Sequence, residues 1–137
     1  MLANGATLGY KETAESADYT DLPGLKEIPE IGTTPEKVEN TTLADKVKKY
    51  ENGIGDPGEM TYKFKYDNSS ADSSYRKFRD MEASGKAYQF CETDADGTKF
   101  EFTAQVSVKR TGGGVNGVID FDVAMALQSE INVVDPA

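Results

Sequence analysis

A chain of 137 residues with 37% hydrophobic and 28% charged side chains has the composition of one globular domain. It carries no histidine and one cysteine, Cys91, which excludes His-based triads, His-containing zinc sites and an internal disulfide. The formal charge of −9 opposes ordinary nucleic-acid binding, and no apolar run is long enough to cross a bilayer.

The N-terminus has neither a basic segment nor an apolar stretch, so no signal peptide is expected. Ala6 to Thr13 is a first strand candidate, weakened by Gly9. Asp21-Leu22-Pro23-Gly24 is a turn signal, followed by a short strand over Leu25 to Ile31 with Pro29 as an edge or break. Gly32-Thr33-Thr34-Pro35 reads as another turn, and Val38 to Leu43 as a weak, mostly polar strand. From Ala44 to Glu59 the pattern fails. Lys46, Lys48 and Lys49 cluster there, and Gly53, Gly55, Pro57 and Gly58 disfavour regular structure. A connection of that length in a compact domain is usually functional or disordered.

Glu59 to Tyr66 alternates, with Met60, Tyr62, Phe64 and Tyr66 on one face, and is expected to be a half-buried strand. Ser73 to Ser84 is the one helix candidate. Asp72, Ser73 or Ser74 can cap it, Tyr75, Phe78 and Met81 form its apolar stripe, and Gly85 can stop it. Lys86 to Thr93 leads into the turn Asp94-Ala95-Asp96-Gly97. The return strand sets Phe100, Phe102, Ala104, Val106 and Val108 against Glu101, Thr103, Gln105, Ser107 and Lys109. After a flexible glycine-rich turn, a last strand sets Ile119, Phe121, Val123, Met125 and Leu127 against Asp120, Asp122, Ala124, Ala126 and Gln128. The whole reads as one domain over residues 1–137: an antiparallel sheet or sandwich with one helix, its two long C-terminal strands forming a hairpin.

No motif carries chemistry. Gly112 to Gly117 satisfies G-x-G-x-x-G, but a period-two strand follows where a dinucleotide site needs a helix. Glu92 to Gly97 imitates the start of a calcium loop, yet Thr103 stands where the bidentate Glu belongs. Asp120 and Asp122 share a strand face and could form a carboxylate pair, though a solvated face explains them better. Cys91 has no activating base in sight, and the two glycosylation sequons at Asn40 and Asn68 read as chance. An enzyme is therefore not expected, and neither a cofactor nor a metal.

Several stretches resemble the major tail proteins of long-tailed phages of the siphophage type. They are Leu8-Gly9-Tyr10-Lys11, the run from Leu25 to Glu39, Leu43-Ala44-Asp45, Tyr50 to Glu59, Ser74-Tyr75-Arg76-Lys77-Phe78, and the closing segment from Gly117 to Ile131. The resemblance implies a tail tube protein with a mainly β fold, an antiparallel β-sandwich or partial barrel with one flanking α-helix. It implies hexameric rings stacked around a tape-measure protein into a hollow conduit in the virion tail, capped by terminator and distal tail proteins. Such subunits are made in the host cytoplasm, and DNA passes through without specific binding or any membrane role. Some relatives carry an added C-terminal immunoglobulin-like domain, for which no room is expected here.

Two sets of residues are then candidates. Leu43, Lys46, Val47, Lys48, Lys49, Tyr50 and Ile54 would form a loop that contacts the next ring, mobile alone and ordered on stacking. Glu101, Asp120 and Asp122 would line the channel and repel DNA. A tail terminator or head–tail connector of similar fold, or a β-sandwich ligand-binding module, is the alternative.

Overall fold

Apolar–polar alternation builds most of the architecture, and the computed structural model describes it for residues 1–11, 17–32, 34–56 and 60–137. The elements are β1 (Thr7–Lys11), β2 (Thr20–Asp21), β3 (Leu25–Glu27), β4 (Thr34–Glu39), β5 (Tyr50–Asp56), β6 (Met60–Lys65), α1 (Ser74–Ser84), β7 (Tyr88–Thr93), β8 (Lys99–Arg110), β9 (Asp120–Leu127) and β10 (Asn132–Val134). The main sheet runs β2-β1-β7-β8-β9-β6-β3, with β10 also paired to β8, and β4 and β5 form a separate two-stranded sheet. Every described strand pair is antiparallel.

Antiparallel partners share a face. The register Tyr10↔Phe90↔Phe102 and the register Tyr62↔Val123↔Val108 therefore collect the apolar residues of five strands on one side. Leu8, Met60, Tyr62, Phe64, Phe90, Ala104, Phe121, Val123 and Met125 are all buried there. Helix α1 covers this face with Phe78 and Met81. The Phe78 ring meets Phe64 edge-on at 5.1 Å and stacks near Phe90 at 6.3 Å. Each such ring contributes roughly 2–3 kcal/mol on burial.

The sheet is curled. Tyr62 shares a row with Val108, six residues along β8 from Phe102, so a flat sheet would separate Tyr62 and Phe102 by about 20 Å or more. Their rings instead stack with centroids 6.4 Å apart. The sheet has rolled over its own apolar face, giving the partial-barrel form of the expected fold.

Most strands and the helix lie where periodicity puts them, with differences that have physical causes. The expected side-chain cap of α1 is not made: Ser73 Oγ accepts from the Ser70 N–H at 3.2 Å, and Ser74 Oγ donates to Pro23 O at 2.6 Å. Gly85 ends the helix at φ 68°. The strand expected to reach Ile31 stops at Glu27, before Pro29. Thr34 and Pro35, expected in a turn, open β4, which ends at Glu39 instead of continuing to Leu43. Strands β2 and β10 have no counterpart among the expected elements, because two or three exposed residues have no periodicity to read. Glu12 and Thr13 of the first strand candidate, Thr33, and Pro57 to Glu59 lie outside the described residues.

Candidate assembly surfaces

The stretch from Ala44 to Glu59 is not irregular throughout: Tyr50–Asp56 is strand β5, paired with β4 from Thr34↔Asp56 to Glu39↔Tyr50. Gly53 and Gly55 hide it, because glycines and a polar start leave no alternation to read. Polar cross-strand bonds hold the pair. Lys37 Nζ donates to Asn52 Oδ1 at 2.8 Å and Asn40 Nδ2 to Glu51 Oε1 at 2.7 Å. At the tip, Thr42 N–H donates to Asp45 Oδ2 at 2.9 Å, and Lys49 Nζ sits 3.2 Å from Asp45 Oδ1. The Thr42 backbone bond first, and Lys49 second, hold the Asp45 carboxyl below its usual range.

This arm pairs with no strand of the main sheet among the described residues. Four of its apolar side chains face outward: Val38, Val47 and Tyr50 are exposed, and Leu43 is 109% exposed. Leu43, Lys46, Val47, Lys48 and Lys49 belong to the connecting tip, whereas Tyr50 and Ile54 belong to β5. Exposed branched residues on a polar hairpin bury no apolar surface within one copy.

The three acidic candidates lie on the polar face of the main sheet, and each has cationic company. Asp120 is buried and ion-paired with Lys26 at 3.0 Å, across β6. Asp122 stands in register between Lys63 and Lys109. Glu101 lines an open groove of about 580 Å³ together with Lys11, Lys99, Tyr19 and Cys91. The face is therefore of mixed charge, and a continuous anionic strip is absent among its described residues. Cys91 is buried in β7, and burial pushes its thiol up.

Glu92, noted in the sequence only as the start of a run that imitates a calcium loop, holds a different place in the fold. It is 1% exposed on the apolar face, in register between Leu8 and Phe100. Burial first, and the neighbouring Asp94 carboxyl second, push its carboxyl up to about 8, while the Tyr62 hydroxyl acts in the opposite sense. Burial and the Glu92 charge likewise raise the Tyr62 hydroxyl. Glu92 is thus protonated at neutral pH, which removes the cost of a buried charge. A signal for it exists in the chain: Tyr88, Phe90 and Glu92 are successive inward positions of one strand.

The fold can be compared with known structures. The tail of an empty gene transfer agent particle, refined with C6 symmetry, aligns with a TM-score of 0.70 at 18% identity, covering 94% of this chain and 96% of that one. The virion of a native gene transfer agent particle gives 0.71 at 15% identity, covering 98% and 99%. The SPP1 tail tube gives 0.61 at 14% identity, covering 93% and 75%. No curated protein gives a significant sequence match. At these identities the structures speak for the fold alone. A family model described as phage tail tube, TTP, lambda-like matches residues 1–127. The chain therefore belongs to the lambda-like phage tail tube family, and it is a structural subunit of the tail and a component of the virion.

Proposed function

We propose that residues 1–137 form one tail tube domain, that six copies close into a ring, and that rings stack into a hollow tube. The observation that carries the reading is the family match over residues 1–127, joined to a fold close to that of a C6-symmetric tail over 94% of the chain. The tube assembles around a tape-measure protein, with a terminator and distal tail proteins at its ends, and the chain has no catalytic role. The arm contacts the neighbouring ring through Leu43, Val47 and Tyr50, with Lys46, Lys48, Lys49 and Ile54 contributing from the same tip and strand.

The polar sheet face lines the channel in this reading. Glu101, Asp120 and Asp122 then act by offsetting part of the charge of Lys26, Lys63, Lys99 and Lys109, which weakens the hold of this face on phosphate. DNA is passed without being held. Negative-stain imaging of the purified chain tests assembly: tubes support the reading, and single rings favour a terminator. Replacing Glu101 and Asp122 together by Lys should slow DNA release from assembled particles. Unchanged ejection would remove these residues from the wall. Asp120 is unsuited to the test, because it is buried beneath Lys26.

A further inference from the structure

Three enclosed polar atoms meet beneath the turn between β7 and β8. Tyr62 Oη, Glu92 Oε1 and Asp94 Oδ1 are each buried and, among the described residues, without a hydrogen-bond partner. Glu92 and Asp94 are two positions apart along one extended segment, so their side chains leave the same face. The Asp94 N–H donates to Thr98 O at 2.9 Å, which carries the strand pairing into the turn and fixes Asp94 there. Tyr62 comes from β6, and its ring stacks on Phe102 across the roll of the sheet. Its hydroxyl and the Asp94 carboxyl are the two groups that act on the Glu92 carboxyl.

The remaining surroundings of Glu92 are apolar. Leu8 of β1 and Phe100 of β8 flank it in register, and Phe78 and Met81 of α1 close the same face. The next inward residue of β1, Tyr10, has its hydroxyl bonded by Lys77 Nζ at 3.2 Å. Cys91, Lys99 and Glu101 line the groove on the opposite side of the sheet. On the outer side of the turn, the N-terminal amine acts on Asp96. Neither ion pair among the described residues includes Glu92 or Asp94. Solvent reaches the trio from one side: Asp94 borders a cleft of about 140 Å³ with Met1, Leu2 and Ile28, whereas Glu92 is 1% exposed.

Two ionised carboxylates offer acceptors alone. Facing one another in apolar surroundings they cannot both ionise, and one proton between them supplies the missing donor. We infer that Glu92 and Asp94 share a single proton, capped by the Tyr62 hydroxyl, and that this proton is a latch holding the β7–β8 turn against β6. Glu92 carries the proton and Asp94 accepts it, leaving one negative charge on the pair, at the cleft. When the proton leaves to water through the cleft, two like charges face each other and the turn parts from β6. The closed form holds the Glu92 proton up to about pH 8 and the open form only to the ordinary 4.5. Opening should therefore become about tenfold easier for each pH unit between those values.

Carbon-detected NMR titration of the full chain reads the proton. Asp94→Asn removes the like charge and offers an amide donor, so the Glu92 midpoint should fall by roughly one unit or more. Tyr62→Phe removes a group that favours the ionised form, so the midpoint should rise. Hydrogen exchange of the wild-type chain reads the latch and needs no variant. The Asp94 amide should exchange through a local opening insensitive to low denaturant, with protection that falls as pH rises. Glu92→Gln should remove that pH dependence. A Glu92 midpoint unmoved by Asp94→Asn overturns the shared proton. An Asp94 amide that exchanges only when the whole domain unfolds overturns the latch. A wild-type midpoint lowered by calcium would make the pair a cation site and overturn both.

Discussion

The main sheet and the β4–β5 arm use their residues in opposite ways. The sheet rolls over its apolar face and hides Tyr62, Phe64, Phe90 and Phe121 completely. The arm hides none of Val38, Leu43, Val47 or Tyr50, and it is held by polar side chains such as Lys37 with Asn52. One region makes a single copy stable, and the other, in the proposed reading, serves contacts between copies. Stability and assembly should then be separable by mutation.

Four measurements sharpen or break that separation. The largest effect concerns Glu92. Its folded value of about 8 lies above the ordinary 4.5, so the folded state holds the proton more tightly. Its contribution is complete below pH 4.5 and is lost as pH rises through 8, by at most about 5 kcal/mol. Chemical denaturation across pH should reveal the decline, and Glu92→Gln should flatten it. Next, Phe78→Ala empties a site bounded by Phe64, Phe90 and Phe121 and should cost about 4 kcal/mol at the denaturation midpoint. Lys26→Met leaves Asp120 without its partner, and with Lys26 41% exposed the loss should be about 1–2 kcal/mol, read by thermal unfolding. Smallest is the arm pair Leu43→Ser with Val47→Ser, which should change monomer unfolding by no more than about 0.5 kcal/mol. A large loss there would mean that the arm supports the fold, and the contrast between the regions would collapse.

The same contrast explains what can be read from sequence. Strands β6, β8 and β9 each bury one face, so alternation reveals them, and α1 is framed by its Tyr75–Phe78–Met81 stripe and Gly85. Strand β5 begins with exposed Tyr50, Glu51 and Asn52 and carries two glycines, so only its pairing with β4 defines it. The polar face bearing Glu101 and Asp122 is legible from period two. The Lys26–Asp120 pair is not, because 94 residues separate its members and only the curled sheet brings them together. Glu92 is legible as an inward position, yet its charge makes it resemble the start of a metal loop instead.

The rims of the main sheet have a kinetic consequence. Its outermost strands, β2 and β3, are two and three residues long, and β3 is broken by a register shift. A stray strand meeting such a rim finds too few rungs to hold it. Polymerisation from dilute solution should therefore begin with a lag, and adding short preformed tube fragments should abolish the delay.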